Sequence, residues 1–231
     1  MTTTFITGAN KSLGYETARR LIEFGHTVIV GARDPQRGQE AADALGARFV
    51  RIDVTDDASV AAAADDIGAR EGGIDVLINN AGVFGTHHPA DQITAADAGE
   101  VFEVNVVGIV RVTHTFLPLL RKSANPVIVN VSSGMGSFAL THDPERVEGR
   151  AVAPLYTASK AAVTMLTTQY AKSWSDVKVN AVDPGYTATD FNGHSGPQTV
   201  TEGTDAIVRL ATIGADGPTG TFSDRHGELA W

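Results

Sequence analysis

The sequence predicts an α/β domain, a doubly wound parallel sheet of about seven strands with helices on both faces in three layers. Three observations carry this. Short runs rich in Val and Ile recur along the 231 residues, with amphipathic segments between them. Those runs lack clean polar alternation, as strands covered on both faces do. No linker, repeat or low-complexity tract divides the chain, so 1–231 reads as one domain.

The strands are predicted at 3–7, 27–32, 48–53, 75–79, 126–132 and 177–182, with a weaker one at 220–224. Helical patterns fall between them at about 14–24, 36–45, 57–69, 95–122, 157–174 and 200–213. Strict β/α alternation implies parallel pairing with right-handed crossovers. At the start of the second helix, Asp34 reads as an N-cap followed by proline at the first helical position.

Composition narrows the partners. The chain is 42% hydrophobic and 19% charged, like an ordinary globule. A formal charge of −9 argues against a broad nucleic-acid or anionic-membrane surface. The absence of cysteine excludes disulfides and thiolate metal sites. The first ten residues carry no secretory pattern, and no apolar run reads as long enough to cross a bilayer. A cytoplasmic protein with no nucleic-acid and no membrane partner is expected.

Sheets of this kind bind ligands outside the carboxyl ends of their strands, so the strand-to-helix junctions hold the chemistry. The first, TGANKSLGYE at 7–16, offers Gly8 for a tight turn and Gly14 for close approach at a helix start, where free N–H groups attract an anion. The spacing matches neither G-x-G-x-x-G nor a Walker loop. At the second junction an NAD site wants a carboxylate for the ribose 2′-hydroxyl. Here Ala32 is followed by Arg33, which with Lys11 suits a 2′-phosphate, so NADP(H) is the expected cofactor. Further on, Tyr156 and Lys160 stand four apart among small residues, which stacks both on one helical face.

Taken together, these junctions resemble the short-chain dehydrogenase/reductase family, and its carbonyl-reductase branch most. The resemblance rests on TGANKSLG, Asp53 in IDV, NNAG at 79–82, Asn105 in VNVVG, VSS at 131–133, YTASK at 156–160 and DPGYTAT at 183–189. It implies a Rossmann-type fold and a tetrad of Asn105, Ser133, Tyr156 and Lys160. Tyr156 would protonate a carbonyl oxygen as hydride arrives, with Ser133 bonded to the same oxygen. Lys160 would lower the phenol's pKa, and Asn105 would position a water linking Lys160 to solvent. It implies Gly8, Ser12, Leu13 and Gly14 at the pyrophosphate, and Lys11 and Arg33 at the 2′-phosphate. Asp53 and Val54 would edge the adenine, and Asn79, Ala81 and Gly82 the ribose side. Pro184, Gly185 and Thr187 would meet the nicotinamide carboxamide.

Two departures stand out. Ser12 occupies the middle glycine position of the family's TGxxxGxG. Ser133 and Tyr156 are 23 positions apart, about ten more than in the shortest members, and the extra piece around 140–152 reads as a polar loop. Such an insertion accompanies monomeric carbonyl reductases, so monomer, dimer and tetramer stay open. The segment at about 187–198 is expected to be a short, mobile, open substrate lid, with Phe84 and Phe191 as apolar walls. His87–His88 lacks metal-site spacing and reads as a loop at the pocket rim. The reading is therefore an NADPH-dependent reductase of a small-molecule carbonyl, the product being an alcohol. The alternative is a non-catalytic NADP(H)-binding redox sensor, which would need none of the tetrad.

Overall fold

The computed structural model describes residues 1–231. Seven strands run parallel: β1 (Thr3–Thr7), β2 (Thr27–Ala32), β3 (Arg48–Arg51), β4 (Val76–Asn79), β5 (Val127–Val131), β6 (Lys178–Val182) and β7 (Phe222–Asp224). An eighth, β8 (Gly227–Glu228), turns back antiparallel on β7, which the sequence reading did not anticipate. The sheet order is β3-β2-β1-β4-β5-β6-β7-β8. The chain therefore reverses direction across the sheet between β1 and β4, opening a crevice there at the carboxyl ends.

On one face pack α1 (Ser12–Glu23), α2 (Pro35–Leu45) and, late in the chain, α9 (Val200–Gly203) with α10 (Asp205–Ala211). The other face carries α3 (Asp57–Arg70), α4 (Ala95–Phe102), α5 (Gly108–Leu120) and α8 (Pro154–Ser173). Strand residues alternate between the two cores: Ile6 and Val30 face one, while Phe5 and Ile29 face the other. Phe5 stacks on Phe116 of α5 at 4.8 Å, both fully buried. Gly31 makes room for this layer, since a Cβ there would meet the Phe5 ring at 2.8 Å.

The predicted helix over 95–122 is interrupted by a π-turn, Glu103–Val107. The joined run Ala95–Leu120 spans 26 residues and holds an 18-residue stretch of mean hydropathy 1.2, long and apolar enough to cross a membrane, against the sequence expectation. Here its apolar stripe, including Val101, Ile109, Val112 and Phe116, is buried in the fold. The insertion also differs from its reading as a loop. It folds into α6 (Phe138–Thr141) and α7 (Val147–Arg150), and buries Glu148.

Candidate active site

The turn after β1 is held by glycine geometry. Gly8 sits at φ +66°, and a Cβ on Gly14 would come within 2.5 Å of the Gly8 carbonyl. Asn80, which the sequence reading passed over, closes this turn: its Nδ2 donates to the carbonyls of Thr7 (2.9 Å) and Gly8 (3.0 Å). Its position inside NNAG was the available signal. Asn79 behaves differently, its amide donating inward to Asn130 (2.8 Å) and Thr113 (3.2 Å) and lying buried between strand and helix. Ala81 and Gly82 lie half-buried in the segment after β4.

Asp34 and Asp56 cap α2 and α3 with their side chains, but α1 has no side-chain cap. The N–H groups of Ser12, Leu13 and Gly14 accordingly find no protein acceptor. Such an end is a ready anion seat. Ser12 holds φ +48°, keeping the left-handed backbone that a glycine would take there. Arg33 lies exposed at the end of β2; against the pull of burial, bonds from Thr55 hold the Asp53 carboxyl below its ordinary value, with Arg33 and Arg51 adding to them. Asp53 accepts from the Thr55 hydroxyl (2.7 Å) and amide (3.0 Å). Val54 is buried against Gly108. These residues fit a dinucleotide with a phosphorylated ribose: open amides, an exposed guanidinium and a glycine-tight turn.

The four tetrad residues meet further along the same crevice. Asn105 sits in the π-turn, a kind of helix defect often found at functional sites. Its Oδ1 accepts from Val83 N–H and its Nδ2 donates to the Val83 carbonyl, both at 2.8 Å. The same Nδ2 donates to Ser159 Oγ (3.0 Å), which in turn donates to the Tyr156 carbonyl (2.7 Å). Asn105 thus ties three segments together. A Cβ on Gly82 would lie 3.3 Å from Asn105 Oδ1 and 3.7 Å from Lys160 Nζ, so this glycine keeps a side chain from crowding both buried groups.

Helix α8 begins with proline at its first turn and presents Tyr156 and Lys160 on one face. Lys160 is buried, donates to the Val131 carbonyl at 2.8 Å and lies 5.6 Å from the Tyr156 ring centre. Burial brings its ammonium down to about 8, with Asp183 pulling the other way. Burial also pushes the Tyr156 phenol above its ordinary value, while the Ser133 hydroxyl works to lower it. The expected lowering by Lys160 does not appear: burial outweighs the Ser133 bond, and the Asp183 charge adds to the rise. Ser133 caps the turn Gly134–Gly136, accepting from Met135 N–H at 3.2 Å.

Aromatic side chains roof this centre. Phe84 stacks on Tyr156 at 5.0 Å, and Phe191 meets the Tyr156 ring at 5.6 Å and the Phe84 ring edge-on at 5.9 Å. His87 covers the other face of Phe84 at 4.9 Å, while His88 faces Asp97. The segment expected to form the lid is laced by its own hydrogen bonds. Its base is pinned by Ala188 N–H to the Gln198 carbonyl (2.9 Å). Tyr186 and Ser195 join hydroxyls at 2.7 Å, and Asn192 donates to the Thr187 carbonyl at 2.8 Å. Gly193 and His194 turn the chain with φ near +60°. Its polar residues bond one another, which composition alone could not reveal. Lys11 does not stand free beside Arg33: its Nζ pairs with Asp190 of the lid at 3.1 Å, and His194 holds the other oxygen of that carboxylate at 3.0 Å.

A sequence profile described as short chain dehydrogenase matches residues 2–199. The chain is 33% identical to (−)-isopiperitenone reductase of Mentha piperita, over 97% of this chain and 96% of that one. Among solved structures it resembles NADPH-bound carbonyl reductase from chicken fatty liver, with TM-score 0.88, 29% identity and coverage of 99% and 98%. Salutaridine reductase from Papaver somniferum superposes with TM-score 0.84 at 28% identity, covering 97% and 99%.

Proposed function

Because the chain belongs to the short-chain dehydrogenase family, we propose that it is an oxidoreductase that uses NADPH to reduce a ketone, aldehyde or quinone carbonyl to the alcohol. The observation that carries this is the convergence of Ser133, Tyr156, Lys160 and Asn105 in the crevice that also holds the uncapped start of α1. A redox sensor would need only the second of these features.

The residues present would hold the dinucleotide by its phosphates at Ser12–Gly14 and Arg33, and its nicotinamide near Pro184, Gly185 and Thr187. When bound, NADPH supplies the hydride. The phenol of Tyr156 stays protonated at neutral pH, as a proton donor must. Its proton passes to the substrate oxygen as negative charge develops there. Ser133, beside the phenol, holds that oxygen by a hydrogen bond that strengthens with the charge. Lys160, brought down to about 8, exchanges protons readily at neutral pH and can restore the phenol. Asn105 keeps the start of α8 and the loop following Gly82 in register. The roof of Phe84 and Phe191 supports an apolar, ring-bearing substrate.

A panel of carbonyl compounds, scored by loss of NADPH absorbance, tests the reading beside Tyr156→Phe. Turnover of at least one cyclic ketone or quinone is expected, falling by about 10²–10⁴ in the variant. Equal rates in the two proteins would reject the chemistry.

A further inference from the structure

Two carboxylates lie behind the turn that presents Ser133. A Cβ on Gly134 would come within 2.7 Å of Glu148 Oε1 and 2.8 Å of Asp183 Oδ2, so both side chains converge on one backbone position. Both residues are buried. Asp183, at the end of β6, accepts from Gly185 N–H at 2.9 Å, and the Gly134 N–H points at the same carboxylate. Glu148 comes from the insertion and is gripped by Arg146 through two bonds of 3.1 and 3.2 Å. On the far side of the turn, Gly136 lies against α8, where a Cβ would meet the Lys160 carbonyl oxygen at 2.7 Å.

We propose that Asp183 and Glu148 are positioning residues of the reaction: they brace the Ser133 turn against α8 and hold the Asp183 carboxylate beside the cluster of Ser133, Tyr156 and Lys160. This rests on the reductase reading above. The insertion thereby becomes part of the active centre. Every charged neighbour of Asp183 has a place in this arrangement. Burial resists its ionisation most, the two backbone N–H groups favour it, and Glu148 and Asp224 of β7 add to the resistance. Arg146 offsets the Glu148 charge, and Lys160 and Tyr156 feel the Asp183 charge from α8. A negative neighbour favours an ammonium and disfavours a phenolate. Neutralising Asp183 should therefore make both groups release their protons at lower pH.

The experiment is a pH titration of the lysine Cε resonances in ¹³C-lysine-labelled protein, with Lys160 identified through Lys160→Arg. In Asp183→Asn the acid dissociation constant of Lys160 should rise at least threefold over wild type. The falling alkaline limb of kcat/KM should move to lower pH. Glu148→Gln should lose about tenfold in kcat with the carbonyl KM little changed. If Asp183→Asn does not fold, Asp183→Ser removes the charge while leaving a short acceptor for Gly185. An unmoved Lys160 titration in a folded variant overturns the proposal, as does an undiminished kcat in Glu148→Gln. A wild-type protein that turns over no carbonyl rejects the reductase reading instead, and the titration still decides the role of Asp183 in the field.

Discussion

Replacing Ser12 with glycine should stabilise this protein. Ser12 holds φ +48° at the start of α1, in the left-handed region. For a residue with a Cβ that conformation costs about 1–2 kcal/mol. Glycine removes this cost but gives the unfolded chain more freedom, worth about 0.5–1 kcal/mol in the opposite direction. The net gain is about 0.5–1 kcal/mol. A domain of this size gains about 2–4 °C per kcal/mol, so the midpoint should rise by about 1–4 °C in calorimetry without nucleotide. Saturating NADPH should narrow or reverse the difference, because the serine hydroxyl lies beside amides that have no protein acceptor. A hydrogen bond from that hydroxyl to a charged phosphate is worth about 1.5–3 kcal/mol. A lower midpoint for Ser12→Gly in the absence of nucleotide would refute the argument, since it would mean the serine is not strained there.

Other outcomes follow from the same geometry. Arg33→Ser should weaken NADPH about 10–100-fold in a fluorescence titration and leave NADH nearly unchanged, and an equal loss for both would remove Arg33 from the 2′-phosphate. Lys160 ionises near 8 in the fold against 10.5 in a free chain, so the unfolded state binds more protons between those values. Stability from this group is thus lowest below pH 8 and recovers toward pH 10.5. Lys160→Met should unfold at a higher denaturant concentration than wild type at pH 7, with the advantage shrinking as pH rises. Phe84→Ala and Phe191→Ala should raise KM for ring-bearing carbonyls more than for short aliphatic aldehydes, and a uniform change across substrates would show that neither ring touches substrate.

The sheet, its order of elements and the junctions were legible because burial on both faces leaves continuous Val/Ile runs and because the turns demand glycine. The four-residue spacing of Tyr156 and Lys160 likewise placed both on one face of α8. What escaped is what tertiary contact decides. The insertion has no helical period long enough to read, yet α7 forms because Glu148 finds Gly134 and Arg146. The π-turn at Asn105 leaves no mark in the hydrophobic pattern. Asp183 and Glu148 are 35 positions apart, and no sequence rule brings them together. Asn79 and Asn80 look equivalent as letters, but Asn79, the last residue of β4, bonds inward while Asn80, just past the strand, bonds the glycine turn.

The ion pair joining Lys11 to Asp190 gives one cation two employers. A nucleotide phosphate drawn to the start of α1 competes with Asp190 for that ammonium, and His194 remains behind as the carboxylate's other neighbour. The strap carrying Phe191 would then lose its tie to the start of α1 and rest on its own bonds at Ala188, Tyr186 and Asn192.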